Sequence, residues 1–285
     1  MKNAGAGWSQ LRYALYSVRK SPMAITGIVM IAVVLLVAIF APYLAPHPEQ
    51  VYSVNIANQL QPPSWSNPFG TDDSGRDILS RIIYGTRISL QVAIVVVSAA
   101  TVLGTMLGLI AGFYGGILGN LIMRITDAFL SFPPLVLALC IQAALGPKLI
   151  NTMLALSLVW WTWYCRILRG QVLSVKEELY IESAKTIGAS NLRIMFRHIL
   201  PNCVGPVLVQ NTLQMGYAVI AAAGLGFLGV GAQEPLPEWG LMIASGRNFM
   251  PQWWWMSTFP GLAIFWMVLG FCLLGDAIRD IYERN

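Results

Sequence analysis

Residues 88–123 read ISLQVAIVVVSAATVLGTMLGLIAGFYGGILGNLIM and contain no Asp, Glu, Lys or Arg. A helix that crosses a membrane needs about 20 predominantly apolar residues, so this run is long enough for one crossing and the start of a second. The Gly-Phe-Tyr-Gly-Gly sequence at 112–116 predicts a turn between the two. The run therefore indicates an integral membrane protein built from helices.

Five further charge-free runs, at 21–48, 128–147, 149–165, 198–233 and 248–275, extend this pattern along the chain. With glycine and proline as helix-ending signals, the runs predict six transmembrane helices, at 23–44, 87–112, 118–145, 150–167, 203–229 and 258–278. We expect an all-α integral membrane protein.

The composition agrees with a membrane protein. Of the 285 residues, 56% are hydrophobic and only 11% are charged, whereas about 25% are charged in an average soluble domain. An ordinary cytosolic enzyme, a disordered chain and a fibrous repeat are therefore excluded. The four cysteines lie in or beside apolar runs without the spacing of a metal site, so we interpret them as packing residues.

The positions of the basic residues predict the orientation. Most of the 18 Lys and Arg residues fall in the segments that are cytoplasmic if the N-terminus is cytoplasmic, which is the distribution typical of membrane proteins. The N and C termini are therefore predicted to be cytoplasmic. Because topology explains the net charge of +5, the charge does not indicate nucleic-acid binding.

Three segments between the predicted helices are too long to be simple connections. They lie at 45–86 and 232–257 on the outer side and at 166–202 in the cytoplasm. We divide the chain into an N-terminal part, 1–85, and a core of five helices, 86–280, that contains the cytoplasmic segment.

Residues 180–201 of the cytoplasmic segment read YIESAKTIGASNLRIMFRHILP. A short helix is predicted to end at Gly188, and Ser190 or Asn191 can cap a second helix that Pro201 would end. In the second helix the apolar residues at 192, 195, 196 and 199 form one stripe. A basic amphipathic pair of this kind either lies on anionic lipid or docks on a soluble partner, and the residues alone favour neither.

Residues 74–83 predict an amphipathic helix at the outer membrane surface. Ser74 and Asp77 have the spacing of a capping box, and the polar face would carry Arg76, Asp77, Ser80 and Arg81. We interpret this helix as a structural brace, with docking of a soluble protein as the alternative.

Several residues within the predicted helices are candidates for special roles. Gly104, Gly108 and Gly112 have the spacing that permits close helix packing, and Pro133-Pro134 predicts a kink. Asp127 is predicted to pair with Arg124. Asp127, Pro133 and Trp160 are the candidates for a substrate pathway.

The sequence contains no motif of a catalytic or nucleotide-binding site. The Gly-x-x-x-x-Gly-Lys-Ser/Thr motif and the His-Glu-x-x-His motif are both missing. No histidine lies where it could activate a serine inside the membrane. We therefore predict a chain without its own catalytic site, cofactor or metal.

Three separated motifs resemble one family. Glu182-Ser-Ala-x-x-x-Gly188-Ala189, followed by Arg197-His-Ile-Leu-Pro201-Asn, resembles the EAA loop of binding-protein-dependent ABC importer permeases, with Ser183 in place of the commoner alanine. The sequence FGTDDSGRDILSR at 69–81 resembles the smaller permease of the dipeptide, oligopeptide and nickel branch, as does GLGFLGVG at 224–231 followed by PEWG at 237–240.

The resemblance implies a type I importer permease that forms half of a pathway for peptides. It implies four kinds of partner: a second homologous permease, two cytoplasmic ATP-binding subunits that carry ATP and Mg, an extracytoplasmic solute-binding protein, and membrane lipid. The membrane would be a bacterial or archaeal cell membrane, which is the inner membrane in a Gram-negative cell. The residues implied in coupling to the ATPase are Glu182, Ser183, Ala184, Gly188, Ala189, Arg193, Arg197 and Pro201.

Alternative functions stay open. The same importer type could carry nickel or another small solute. A stand-alone secondary transporter would be expected to have ionisable groups near mid-membrane, for which Asp127 is the one candidate.

Overall fold

The computed structural model describes residues 21–283, with side chains to residue 280. The predicted cytoplasmic segment 1–20 lies outside the described residues. The described part is helical, with a single isolated β-bridge between Thr71 and Asp77. Its longer helices are α1 (Pro22–Leu44), α2 (Ile78–Tyr114), α3 (Gly116–Leu130), α4 (Pro134–Leu145), α5 (Leu149–Val175), α6 (Leu179–Thr186), α7 (Leu200–Phe227), α8 (Trp239–Arg247) and α9 (Trp255–Glu283).

The first helix begins where the sequence predicts. The Ser21 hydroxyl accepts a hydrogen bond from the backbone N–H of Ala24, and Pro22 occupies the first turn, which are both favourable at a helix start. The helix packs closely against α9, because a Cβ on Gly27 would lie only 2.7 Å from the backbone nitrogen of Leu274.

The second helix corrects the prediction of a separate surface helix before the membrane. It begins at Ile78 and continues without a break to Tyr114. Asp77, rather than Ser74, caps it by accepting a hydrogen bond from the backbone N–H of Ser80. The predicted polar face is also buried: Arg76, Asp77, Ser80 and Arg81 are each less than 5% exposed.

The glycine repeat in α2 is a helix-packing surface. A Cβ on Gly104 would overlap the carbonyl oxygen of Trp161, and a Cβ on Gly108 would lie 2.6 Å from the carbonyl oxygen of Cys165. A Cβ on Gly112 would lie 2.7 Å from the side chain of Val172. Since all three neighbours belong to α5, the repeat brings these two helices together, as its spacing predicts.

The predicted third transmembrane helix is broken. The axes of α3 and α4 meet at 91°, so the kink predicted at Pro133-Pro134 is a complete break. Proline lacks the N–H that would continue the helix, and its ring crowds the preceding turn. Pro133 instead precedes α4 in extended backbone, and its carbonyl accepts from the N–H of Leu137.

Within residues 21–283, three helices are long and apolar enough to cross a membrane: Pro22–Leu44, Ile78–Tyr114 and Trp255–Asp280. The bent pair α3–α4 makes a fourth if it counts as one crossing. The helices α5 and α7 have 27 and 28 residues, so they match a bilayer in length but are less apolar.

Candidate functional site

The short helix α6 presents one face to the rest of the protein and one face outward. Ile181 and Ala184 are buried at 0% and 6% exposure and attach the helix to the bundle. The side chains of Glu182, Ser183 and Lys185 are exposed. The predicted coupling residue Ala184 therefore packs inward, whereas Glu182 is available to a partner.

The turn after α6 has the geometry that the sequence predicts. Gly188 has a φ of +80°, a conformation that side-chain-bearing residues rarely adopt, and a Cβ there would meet nothing within 4 Å. The Ser190 hydroxyl accepts a hydrogen bond from the N–H of Arg193 at 3.4 Å and caps the next helical turn. Backbone conformation rather than space therefore explains the glycine at 188.

The chain after this turn differs from the predicted second helix. Residues Ile194–Ile199 form a π-helical segment that runs directly into α7, so Pro201 lies in the first turn of α7 and does not end a helix. The wider turn changes which residues face inward. Of the predicted stripe, Met195 and Ile199 are buried, whereas Leu192 is 64% exposed and Phe196 is 46% exposed.

The exposed side of this region is a mixed apolar and charged surface. Leu179 and Ile187 are 79% and 85% exposed, and sequence reasoning missed both because neither belongs to an amphipathic stripe. We call Leu179, Glu182, Lys185, Ile187 and Leu192 the α6 surface. Arg193, Arg197 and Pro201 are also exposed, and Ala189 is half-buried.

The three candidate pathway residues do not form one site. Trp160 is 7% exposed and lines a cleft of about 610 Å³ between α5 and α7, where Pro134, next to Pro133, also lies. Asp127 does not line this cleft and does not pair with Arg124 as predicted. Its carboxylate instead accepts a hydrogen bond from Arg166 of α5, and both side chains are about half exposed.

The cleft is lined almost entirely by apolar side chains. Leu156, Trp160 and Ala221 form part of its buried floor, and Trp163 and Tyr217 are 44% and 58% exposed at its rim. Gln210 and Gln214 of α7 also line it.

A cluster of charged residues, buried except for Glu234, joins the segment before α2 to the segment after α7. We call Asp72, Arg76, Arg81 and Glu234 the Arg81 cluster. The Arg76 Nε donates to Asp72 Oδ2 at 2.8 Å, Arg76 also donates to Glu234, and Arg81 lies 3.4 Å from the same Glu234 oxygen. Sequence reasoning missed this cluster, since Glu234 lies more than 150 positions from Arg76 and Arg81.

One carboxyl group in each of these two segments has a raised pKa. Burial, and next the neighbouring Asp72 carboxylate, raise the pKa of Asp73. Burial also raises the pKa of Glu238. This effect is larger than the opposite effect of the two hydrogen bonds that the backbone N–H groups of Gly240 and Leu241 donate to it. Glu238 thereby caps α8.

The chain matches a known family over most of its length. Residues 104–285 match the family described as the binding-protein-dependent transport system inner membrane component. Residues 9–63 match the N-terminal transmembrane domain of oligopeptide transport permease C. The chain belongs to the family of inner-membrane components of binding-protein-dependent transport systems, which confirms the resemblance carried by its three motifs.

Individual relatives resemble the chain from end to end. It is 47% identical to the dipeptide transport system permease protein DppC of Alkalihalophilus pseudofirmus, over 96% of this chain and 90% of that protein. It is 44% identical to the probable D,D-dipeptide transport system permease protein DdpC of Escherichia coli, over 94% and 90%. The di/tripeptide permease DppC of Pseudomonas aeruginosa is 42% identical, over 91% and 87%.

A solved structure shares the fold. A chain of the MetNI methionine ABC transporter, in an inward-facing conformation, superposes with a TM-score of 0.59 at 18% identity, covering 72% of this chain and 97% of that chain. At this identity the similarity concerns the fold alone.

Proposed function

We propose that this chain is a permease subunit of an ATP-driven importer and forms half of its pathway for peptides. Family membership supports the transport role, and the relatives named as dipeptide permeases support peptides as the cargo. The observation that carries the coupling role is the α6 surface, where Leu179 and Ile187 are almost fully exposed. Large apolar side chains exposed together in this way are typical of a protein interface.

The α6 surface would dock in a groove of an ATP-binding subunit. Glu182 provides a charged contact, Gly188 allows the tight turn, and Leu179 and Ile187 provide apolar contacts. Ile181 and Ala184 hold α6 on the bundle from the other side. A displacement of the ATPase would therefore be passed to the permease through a helix that is packed on one face and exposed on the other.

The proposal includes a topology and a set of partners. The chain would cross the membrane six times, with α3 and α4 as one crossing and with α5 and α7 as two of the others, and both termini would be cytoplasmic. Residues 1–85 would form the N-terminal part and 86–280 the core. A second homologous permease, two ATPases that bind ATP and Mg, and an outer solute-binding protein would complete the importer in the cell membrane of a bacterium or archaeon.

The experiment tests docking on the α6 surface. We expect Ile187→Asp to abolish co-purification of the ATPase subunits and ATP-driven peptide uptake in proteoliposomes, because a charge replaces an apolar contact. The matched control is Ile117→Asp, since Ile117 is 91% exposed and belongs to a different helix, α3. If Ile187→Asp transports and binds the ATPases like the control, α6 is not the docking element.

The cargo is tested separately. A fully assembled importer that takes up a nickel chelate but no di- or tripeptide would refute the proposed substrate class and keep the coupling role. Solute flux through this chain alone, without ATPase subunits, would indicate a secondary transporter.

A further inference from the structure

The cleft between α5 and α7 is lined by a glutamine side chain that has no hydrogen-bond partner among the described residues. Gln214 is 8% exposed and lines the cleft, yet its side chain makes no hydrogen bond with any of the residues that the structure describes. The amide atoms of Gln214 are not among the fully buried side-chain atoms that lack a partner, so they are accessible from the cleft. Gln214 is therefore free to exchange hydrogen bonds with a ligand that enters the cleft.

The lining of the cleft selects the chemistry of that ligand. Apart from Gln210, Gln214, the Tyr217 hydroxyl and the indole N–H groups of Trp160 and Trp163, the lining is apolar, and it includes no Asp, Glu, Lys, Arg or His. A ligand that fits has neutral groups that both donate and accept hydrogen bonds.

The main chain of a peptide has these properties. Each of its non-proline residues carries one N–H donor and one C=O acceptor, and a glutamine side chain offers the complementary acceptor and donors. Trp160, Trp163 and Tyr217 provide aromatic walls for side chains of different shapes. The volume of about 610 Å³ lies within the range of about 300–1,000 Å³ that is common for small-ligand pockets.

We propose that this cleft holds the main chain of a peptide in transit, with Gln214 and Gln210 hydrogen-bonded to its amide groups and the aromatic side chains in contact with its side chains. This assignment rests on the proposed function. It explains how one site accepts peptides of different sequence, because the hydrogen bonds involve atoms that peptides share.

A helix of a second permease would fit the cleft less well. The main-chain amides within such a helix are already bonded to each other, so its backbone would leave Gln214 unsatisfied. An extended peptide has free amide groups that can reach it.

The first test measures uptake by the assembled importer in proteoliposomes, with radiolabelled trialanine as the probe. We expect Gln214→Leu to lower the uptake rate about fivefold or more at subsaturating trialanine, as loss of a buried hydrogen bond would predict. The matched control, Gln91→Leu, removes an exposed amide of α2 that does not line the cleft and should leave uptake unchanged. ATPase activity stimulated by the loaded binding protein should be retained in both variants.

The second test does not depend on a variant. A tripeptide that carries benzoylphenylalanine at its central position is photoactivated on the wild-type importer, and the labelled fragments are identified by mass spectrometry. We expect labels within α5 or α7 at the cleft-lining residues. Labels confined to other segments would overturn the assignment.

The outcomes separate this assignment from the proposed function. If the wild type imports trialanine with ATP and Gln214→Leu does so equally well, the cleft assignment is wrong and the importer function stands. If Gln214→Leu no longer assembles with the second permease while the photolabel avoids the cleft, the cleft is a subunit interface. If the wild-type assembly imports no peptide, both proposals fail.

Discussion

Replacing Arg81 with methionine tests whether the Arg81 cluster stabilises the contact between the segment after α7 and the start of α2. We expect this change to lower the free energy of unfolding. The Arg81 side chain is 1% exposed and donates to the carbonyl oxygen of Val51 at 2.9 Å. Its contacts with the carbonyls of Pro235 and Leu236 are longer, at 3.5 and 3.4 Å. Methionine keeps much of the apolar stem and removes the charge and these donors.

The magnitude follows from the individual contacts. A hydrogen bond that involves a charged group contributes about 1.5–3 kcal/mol, and this applies to the bond with Val51. The ion pair with Glu234 adds at most about 1 kcal/mol, because the Glu234 side chain is 41% exposed and Arg76 still binds it in the variant. The desolvation penalty of a buried arginine is removed at the same time, so we expect a net loss of about 2–3 kcal/mol.

The assay is the free energy of unfolding of the purified chain in detergent, from a denaturant titration. The control is Arg124→Met, which removes an exposed arginine of α3 and should change stability by less than about 0.5 kcal/mol. A double-mutant cycle with Glu234→Gln should give a coupling energy below about 1 kcal/mol. A stability of Arg81→Met equal to that of the control would refute the reasoning.

Two further variants test the packing and the electrostatics. Gly104→Ala should destabilise the protein by about 1–3 kcal/mol, since its Cβ would overlap the carbonyl oxygen of Trp161, whereas Gly170→Ala, with open space around it, should be neutral or stabilising in the same unfolding assay. The stability of Asp73→Asn relative to the wild type should increase as pH rises above about 4. The raised pKa of Asp73 means that this carboxyl binds a proton more tightly in the folded protein than in the unfolded chain, so its contribution to stability falls as pH rises. A difference between the two proteins that does not grow with pH would contradict this assignment.

The sequence predicts local features of the fold and site well. The first helix begins at Pro22, next to the predicted start at 23, Gly188 makes the turn after α6, and Ser190 caps the following turn. The helix break at Pro133-Pro134 also follows from local chemistry, although its angle of 91° does not. Each of these depends on residues within a few positions of each other, so the amino-acid pattern contains the information.

Features that depend on distant partners could not be predicted. A helical pattern places Arg76 and Arg81 on a polar face, but it cannot show that both pair with Glu234 of the segment after α7. The prediction that the apolar residues at 192, 195, 196 and 199 form one stripe is wrong for another reason. It assumes 3.6 residues per turn, whereas the π-helical turn at Ile194–Ile199 is wider, and Phe196 within that turn faces outward.

The continuous backbone from the α6 surface into α7 connects the regions to which we assign function. The α7 helix has 28 residues, which corresponds to about 42 Å at 1.5 Å per residue. It carries Gln210 and Gln214 of the cleft, and Glu234 of the Arg81 cluster follows it. Bends in helices occur at π-turns and prolines, and here both lie near its start, at Ile194–Ile199 and Pro206. The part of α7 beyond Pro206 is therefore the stiffer part. A displacement applied at α6 would either be absorbed by bending between Ile194 and Pro206 or would move the cleft residues of α7 together.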